Sequence, residues 1–131
     1  MARECMAMRA RRLDRIVTRL YDDALRPFGL KSTQLSVLIG IGVAGTLQPS
    51  HLGQALAMEK STVSRNVARL VERGWVTSEA AEDGRGQLLS LTRSGASLLD
   101  EAHNAWKTAQ RSVRAIIGDE AGDALTNMNV S

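Results

Sequence analysis

The sequence is poor in the residues that build several protein classes. Cys5 is its single cysteine, so no disulfide can form within the chain and nothing calls for an oxidising compartment; the cytoplasm is the expected location. Aromatic residues make up only 3% of the chain, and the 44% hydrophobic fraction is carried by Leu, Val, Ile, Ala and Met. Such a core suits helices packed on helices better than an aromatic-rich β-sandwich. No sustained apolar run follows the basic start MARECMAMRARRLDR, so no secretory signal is expected there. Residues 32–58 are almost free of charge, but Gly40, Gly42, Gly45 and Pro49 interrupt them, so no membrane span is expected. His51 and His103 have no cysteine or acidic partners at metal-ligand spacing beyond Asp100, three residues before His103. A glycine-rich phosphate loop, a nucleophile elbow and paired carboxylates in an apolar setting are also missing. Neither a metal, a cofactor nor an enzymatic activity is expected.

A chain of 131 residues is one domain or one compact subunit. Its 17 basic residues against 14 acidic ones give +3 and a pI near 9.6, a mild excess whose distribution is more telling than its sum. Basic residues dominate residues 1–31, and acidic ones dominate the C-terminal third. A polyanion would therefore meet the earlier parts.

Leu13, Ile16, Val17, Leu20, Tyr21, Ala24 and Leu25 recur at the three-four spacing of one helix face, and the run ends before Pro27 and Gly29. Ser32 or Thr33 can cap a second helix through Gln34, Leu35, Val37, Leu38, Ile39 and Ile41, which is nearly apolar all round and expected to be buried; Gly45 ends it. Thr46 to Gln48 read as a short extended link. Pro49 then suits the first position of a short third helix, PSHLGQALA. After a brief turn at Met58 and Glu59, the stretch STVSRNVARLVERG places Val63, Val67, Leu70 and Val71 on one side. Ser61, Thr62, Arg65, Arg69 and Glu72 gather opposite, and Gly74 supplies the stop. Two short helices joined by a tight turn are the helix-turn-helix layout.

From Trp75 the period changes to two, with alternating residues up to Ala80 and again at Leu89 to Leu91 around Asp83-Gly84-Arg85-Gly86. This predicts a hairpin with an arginine at its tip. Thr92 can cap a long helix whose Leu99, Ala102, Trp106, Ala109, Val113 and Ile116 form a heptad seam, and so narrow a seam asks for a second helix. Gly118 breaks it, and Asp119 opens a last segment, expected to fray, with Ala121, Ala124, Leu125 and Met128 on one side.

The expected fold is mainly α with a small β-hairpin. Its order resembles the MarR family of winged helix-turn-helix transcriptional regulators. The resemblance rests on RLYDDALRPFGLKSTQLSVL, HLGQALAMEKSTVSRNVARLVERGWV, EDGRGQLLSLT and LTRSGASLLDEA, and covers roughly residues 9–115. It implies a homodimer, with residues 30–92 forming a winged helix-turn-helix lobe and residues 1–29 and 93–131 supplying dimerisation helices. Ser61, Thr62, Ser64, Arg65 and Arg69 would then lie on the helix entering the major groove of double-stranded DNA, while Arg85, held by Asp83, would reach the minor groove. The sequence departs from the family pattern at Gly86-Gln87, which is uncharged where the wing is commonly basic.

The residue chemistry agrees with that implication. Hydroxyls can meet phosphates or base edges, and arginine can grip guanine O6 and N7 as a fork. An ordinary solvated face would mix Glu with Lys instead. For the arginine-rich first helix (Arg9, Arg11, Arg12, Arg15, Arg19) a solvated face flanking a dimer seam is the better reading. Tyr21, Phe28, Leu38 and Trp106 are candidates for a cleft taking a small aromatic or phenolic effector, although plain core explains each of them singly. The rival functions are a winged-helix protein-interaction module and a redox-sensing regulator built on Cys5.

Overall fold

The computed structural model describes residues 1–129; Val130 and Ser131, the end of the expected C-terminal dimerisation segment, lie outside the described residues. The element order is α1 (Met6–Leu25), a 3-10 turn (Arg26–Phe28), α2 (Ser32–Ala44), β1 (Thr46–Leu47), α3 (Pro49–Leu56), α4 (Lys60–Glu72), β2 (Val76–Ala80), β3 (Gln87–Leu91), α5 (Arg93–Ile117) and α6 (Asp119–Asn127). The chain divides into two compact units, one spanning Thr33–Ala102 and one joining residues 1–32 to the segment from His103 onward.

In the first of these, the winged unit, Leu38, Ile41, Leu52, Leu70 and Leu89 have no exposed surface and form the core. Glycines within α2 allow close packing: a Cβ at Gly40 would meet Leu52 Cδ1 at 2.9 Å, and one at Gly42 would meet Leu91 Cδ1 at 3.2 Å. The expected all-round burial of α2 is corrected here. Leu35, Val37, Leu38 and Ile41 are buried, but Ile39 is 41% and Val43 86% exposed, because a single helix turns only one side to its own core. The hairpin of β2 and β3 is present and has a third strand. The segment expected as an extended link pairs antiparallel with β3, Thr46 opposite Ser90 and Leu47 opposite Leu89, giving the order β1-β3-β2. Val76 faces Leu91 and Ala80 faces Gln87 across the hairpin.

In the terminal unit, α1 starts at Met6, well before its first periodic apolar residue, because Met, Ala and Arg are all good helix formers. The 3-10 turn carries Pro27, and Gly29 closes it at φ 67°. The Ser32 N–H donates to Asp22 Oδ1 at 2.7 Å. On α5, Ala109 and Val113 are buried within the chain, and the Tyr21 hydroxyl donates to the Gln110 side-chain oxygen. The C-terminal segment expected to fray is the helix α6, tied back by an Arg114–Asp123 ion pair at 2.9 Å. Leu125 and Met128, on its apolar side, are 41% and 54% exposed.

Candidate nucleic-acid interface

The geometry of α3 and α4 comes from the residues around their junction. Ala57 adopts a left-handed conformation at φ 52°, the one non-glycine residue to do so among the described residues, and its N–H closes α3 onto Gln54 and Gly53 carbonyls. The Met58 N–H donates to the Gly53 carbonyl at 2.9 Å. Gly53 has no side chain to obstruct this: a Cβ there would lie 3.1 Å from the Met58 oxygen and 3.4 Å from Val63 Cγ2. The glycine thus lets the turn and the first buried residue of α4 close against α3. Glu59 is the N-cap of α4 without a side-chain capping bond, so its carboxylate acts on the helix only through the dipole.

Helix α4 is anchored by Val63 and Leu70, 2% and 0% exposed, with Val67 half-buried beside them. Val71 does not join this side as expected and is 40% exposed; at 100° per residue it falls on the flank of the buried stripe. Ser61, Ser64, Arg65 and Arg69 are exposed, and Thr62 is half-buried. Arg65 Nη2 reaches Thr62 Oγ1 at 3.4 Å, a weak tether that leaves most of the guanidinium's donors unused. The Thr62 carbonyl accepts from Asn66 Nδ2 at 2.9 Å. Asn66 escaped the sequence reasoning because it lies at the margin of both faces. The four exposed residues therefore lie on one ridge, and Thr62 borders it.

The wing tip is built by main-chain bonds. Gly84 and Gly86 take φ of 71° and 80°, the Gly84 N–H donates to the Ala81 carbonyl at 2.8 Å, and Asp83 Oδ1 accepts from the Arg85 N–H at 2.9 Å. Asp83 thus holds the backbone of Arg85 and leaves its guanidinium without an ion pair among the described residues. At the base of the wing, Arg73 stacks over the Trp75 ring at 4.2 Å.

An open groove of about 800 Å³ runs along the start of α4, lined by Pro49, Gly53, Met58, Val63, Ser64 and Gln87 among others. None of the four candidate effector residues lines it. Leu38 has no exposed surface to offer a ligand, while Tyr21, Phe28 and Trp106 are half-buried in the terminal unit. Burial there raises the Tyr21 hydroxyl above its ordinary pKa of 10.0, and Trp106 stacks with His103 at 5.5 Å between ring centres. Along the heptad seam, Ala102, Ala109 and Val113 are already covered within one chain, Leu99 and Trp106 are half-buried, and Ile116 is 56% exposed. The seam is thus partly satisfied without a second copy. Cys5 is a free, half-buried thiol at the start of α1. No group of three or more His, Cys, Asp or Glu side chains able to hold a metal occurs among the described residues. No helix among them is long and apolar enough to cross a membrane.

A short α3, a tight turn, an α4 with one buried and one polar face, and a glycine-tipped hairpin define a winged helix-turn-helix protein. A profile described as the MarR family matches residues 28–86. An uncharacterized HTH-type transcriptional regulator of Bacillus subtilis, YwoH, is 30% identical over 114 residues, covering 87% of this chain and 83% of that protein. The chain belongs to the MarR family of transcriptional regulators. Among solved structures it is similar to a probable transcriptional regulator from Pseudomonas aeruginosa, with a TM-score of 0.84, 25% identity and coverage of 96% and 95% of the two chains. It is also similar to the M. tuberculosis regulator MOSR in complex with DNA, with a TM-score of 0.79, 32% identity and coverage of 94% and 97%.

Proposed function

We propose that this chain is a homodimeric, cytoplasmic repressor that binds a pseudo-palindromic DNA operator. The observation that carries the reading is the α4 ridge, where Ser61, Ser64, Arg65 and Arg69 stand exposed on a helix fixed from behind by Val63 and Leu70. In a major groove, such a ridge offers hydroxyls to phosphates and guanidinium forks to guanine edges. Arg85, on a tip whose backbone Asp83 holds in place, is suited to the strong negative potential of a narrow minor groove. The DNA-bound state of MOSR, 32% identical to this chain, supports the assignment.

The dimer reading draws support from Ile116, Leu125 and Met128, apolar side chains that the terminal unit leaves exposed. Two copies would present two α4 helices to half-sites about one helical turn apart. A small aromatic or phenolic effector, with Tyr21, Phe28 and Trp106 as its candidate contacts, would release DNA by altering the spacing of those helices.

Selection of bound sequences from random duplexes by the purified protein tests the reading. The expected result is a two-fold-related pair of half-sites. Recovery of no enriched sequence, with no duplex retained at low ionic strength, would refute it.

A further inference from the structure

Asn66 sits inside the patch of α4 that the arginines define. Residues three and four apart are neighbours on a helix surface, so Asn66 adjoins both Thr62 and Arg69, as Arg65 does. Two side-chain heads converge on Thr62: Arg65 Nη2 reaches its hydroxyl at 3.4 Å, and Asn66 Nδ2 donates to its carbonyl at 2.9 Å. The carboxamide and the guanidinium therefore stand over the same N-terminal turn. Folding does not account for Asn66. Asparagine is among the weaker helix formers, and the Thr62 carbonyl already accepts the helical N–H four residues on, so the side-chain bond satisfies no orphaned group. What the bond does is orient the amide. A carbonyl can only accept, so the nitrogen faces it and Oδ1 faces away. Among the described residues no buried side-chain nitrogen or oxygen lacks a partner, and the Asn66 side chain bonds to nothing but Thr62, so Oδ1 is open to solvent.

We infer that Asn66 is a specificity-determining residue that reads an adenine in the major groove, in the half-site where Arg65 takes a guanine; the inference rests on the DNA-binding reading above. The heads of both residues lie toward the N-terminal turns, the part of a reading helix that meets base edges. The pattern of donors and acceptors selects the base. The free edge of the amide pairs an acceptor, Oδ1, with a donor, the second N–H of Nδ2. Adenine alone presents the complement, its N6 amino donor beside its N7 acceptor. Guanine offers N7 and O6, both acceptors, and would set O6 against Oδ1. Cytosine offers a lone donor and thymine a lone acceptor. A phosphate fits less well, because it has only acceptors and would turn a negative oxygen toward Oδ1.

The test measures affinity on a selected operator and on duplexes in which each base pair of the half-site is changed in turn. For the unaltered chain, replacing one particular A·T pair should weaken binding about tenfold. Putting 7-deazaadenine there, which keeps the pairing but lacks the N7 acceptor, should weaken it several-fold. Asn66→Ala, a change to a better helix former, should bind the operator about tenfold more weakly, lose the preference at that pair alone and ignore the 7-deazaadenine. Its salt slope should match that of the unaltered chain, since asparagine is neutral and releases no counterions. Unchanged preference at every pair, or an equal loss on all duplexes, overturns the inference; if Arg65→Ala then still loses preference at a guanine, the DNA-binding reading stands. The 7-deazaadenine series needs no variant, and indifference of the unaltered chain at every adenine of the half-site overturns the inference by itself. Failure of the unaltered chain to hold any duplex removes both readings.

Discussion

The main-chain carbonyl of Trp75 occupies the space that a side chain on Gly95 would need. A Cβ at Gly95 would overlap that oxygen and lie 3.0 Å from the carbonyl carbon, and the same oxygen accepts from the Thr92 N–H at 3.0 Å. The base of the wing and the first turn of α5 are therefore pressed together with backbone against backbone, which cannot step aside as a flexible side chain can. Gly95→Ala should cost about 2–3 kcal/mol of stability through overpacking. Urea unfolding followed by circular dichroism measures it, and an unchanged midpoint would show that the contact is looser than described.

Thr92 makes the neighbouring join with its side chain. Its hydroxyl donates to the Gly74 carbonyl at 2.6 Å and accepts from the Gly95 N–H at 3.0 Å, so one residue caps α5 and ties it to the end of α4. Thr92→Val, which keeps the shape and loses both bonds, should destabilise by about 1–2 kcal/mol. Thr92→Ser should retain most of that. Equal thermal midpoints for the two variants would remove the cap from the account.

These two joins mark the limit of what the sequence discloses. That Thr92 caps a helix is legible, since the residue type and the helical spacing after it are local signals. Its bond to Gly74 joins residues far apart in the chain and has no local signal. The buried side of α4 was legible at Val63 and Leu70 from spacing, but Val71 lies at the edge of the stripe, where the period alone does not decide exposure. Strand β1 was missed as a strand because two residues are too few to show alternation. Ala57 in a left-handed turn was missed because glycine or asparagine is the usual sign of one. Ser61, Arg65, Arg69 and Glu72 emerge exposed, as their spacing implied, whereas Thr62, placed on the same side by that spacing, is half-buried.

If Arg65 and Arg69 read bases and not only phosphates, their loss should alter sequence preference as well as affinity. Each Arg→Ala change should cost about 1–3 kcal/mol on the operator, and much less on scrambled DNA. Competition binding with operator variants checks this. A uniform loss on all sequences would move both arginines to the phosphate backbone.

Tyr21 is the single tyrosine, so its ionisation can be followed without interference. Burial disfavours the phenolate and raises its pKa above 10.0. The folded pKa exceeds the unfolded one, so the favourable contribution is complete below pH 10.0 and is lost as pH rises through the folded value. Tyrosinate absorbance should titrate above pH 10.0 in the folded protein and at the ordinary value in denaturant. Stability should fall over the same alkaline window, and Tyr21→Phe should flatten that fall. A folded titration at or below the ordinary value would contradict the burial.

At the wing tip, two accounts of Asp83 give opposite results for one substitution. In the structure its carboxylate oxygen accepts from the Arg85 N–H at 2.9 Å, so its task is to shape the turn, which an amide oxygen can also do. Asp83→Asn should therefore bind operator almost as well as the unaltered chain. Asp83→Ala, with no acceptor, should lose about 0.5–1.5 kcal/mol as the tip becomes harder to order. Were the carboxylate instead a charge partner for the guanidinium, Asn and Ala would weaken binding alike. Arg85→Ala should cost more than either, most of all where A·T base pairs narrow the minor groove under the wing. Affinities of the three variants on duplexes differing only in that flank separate the two accounts.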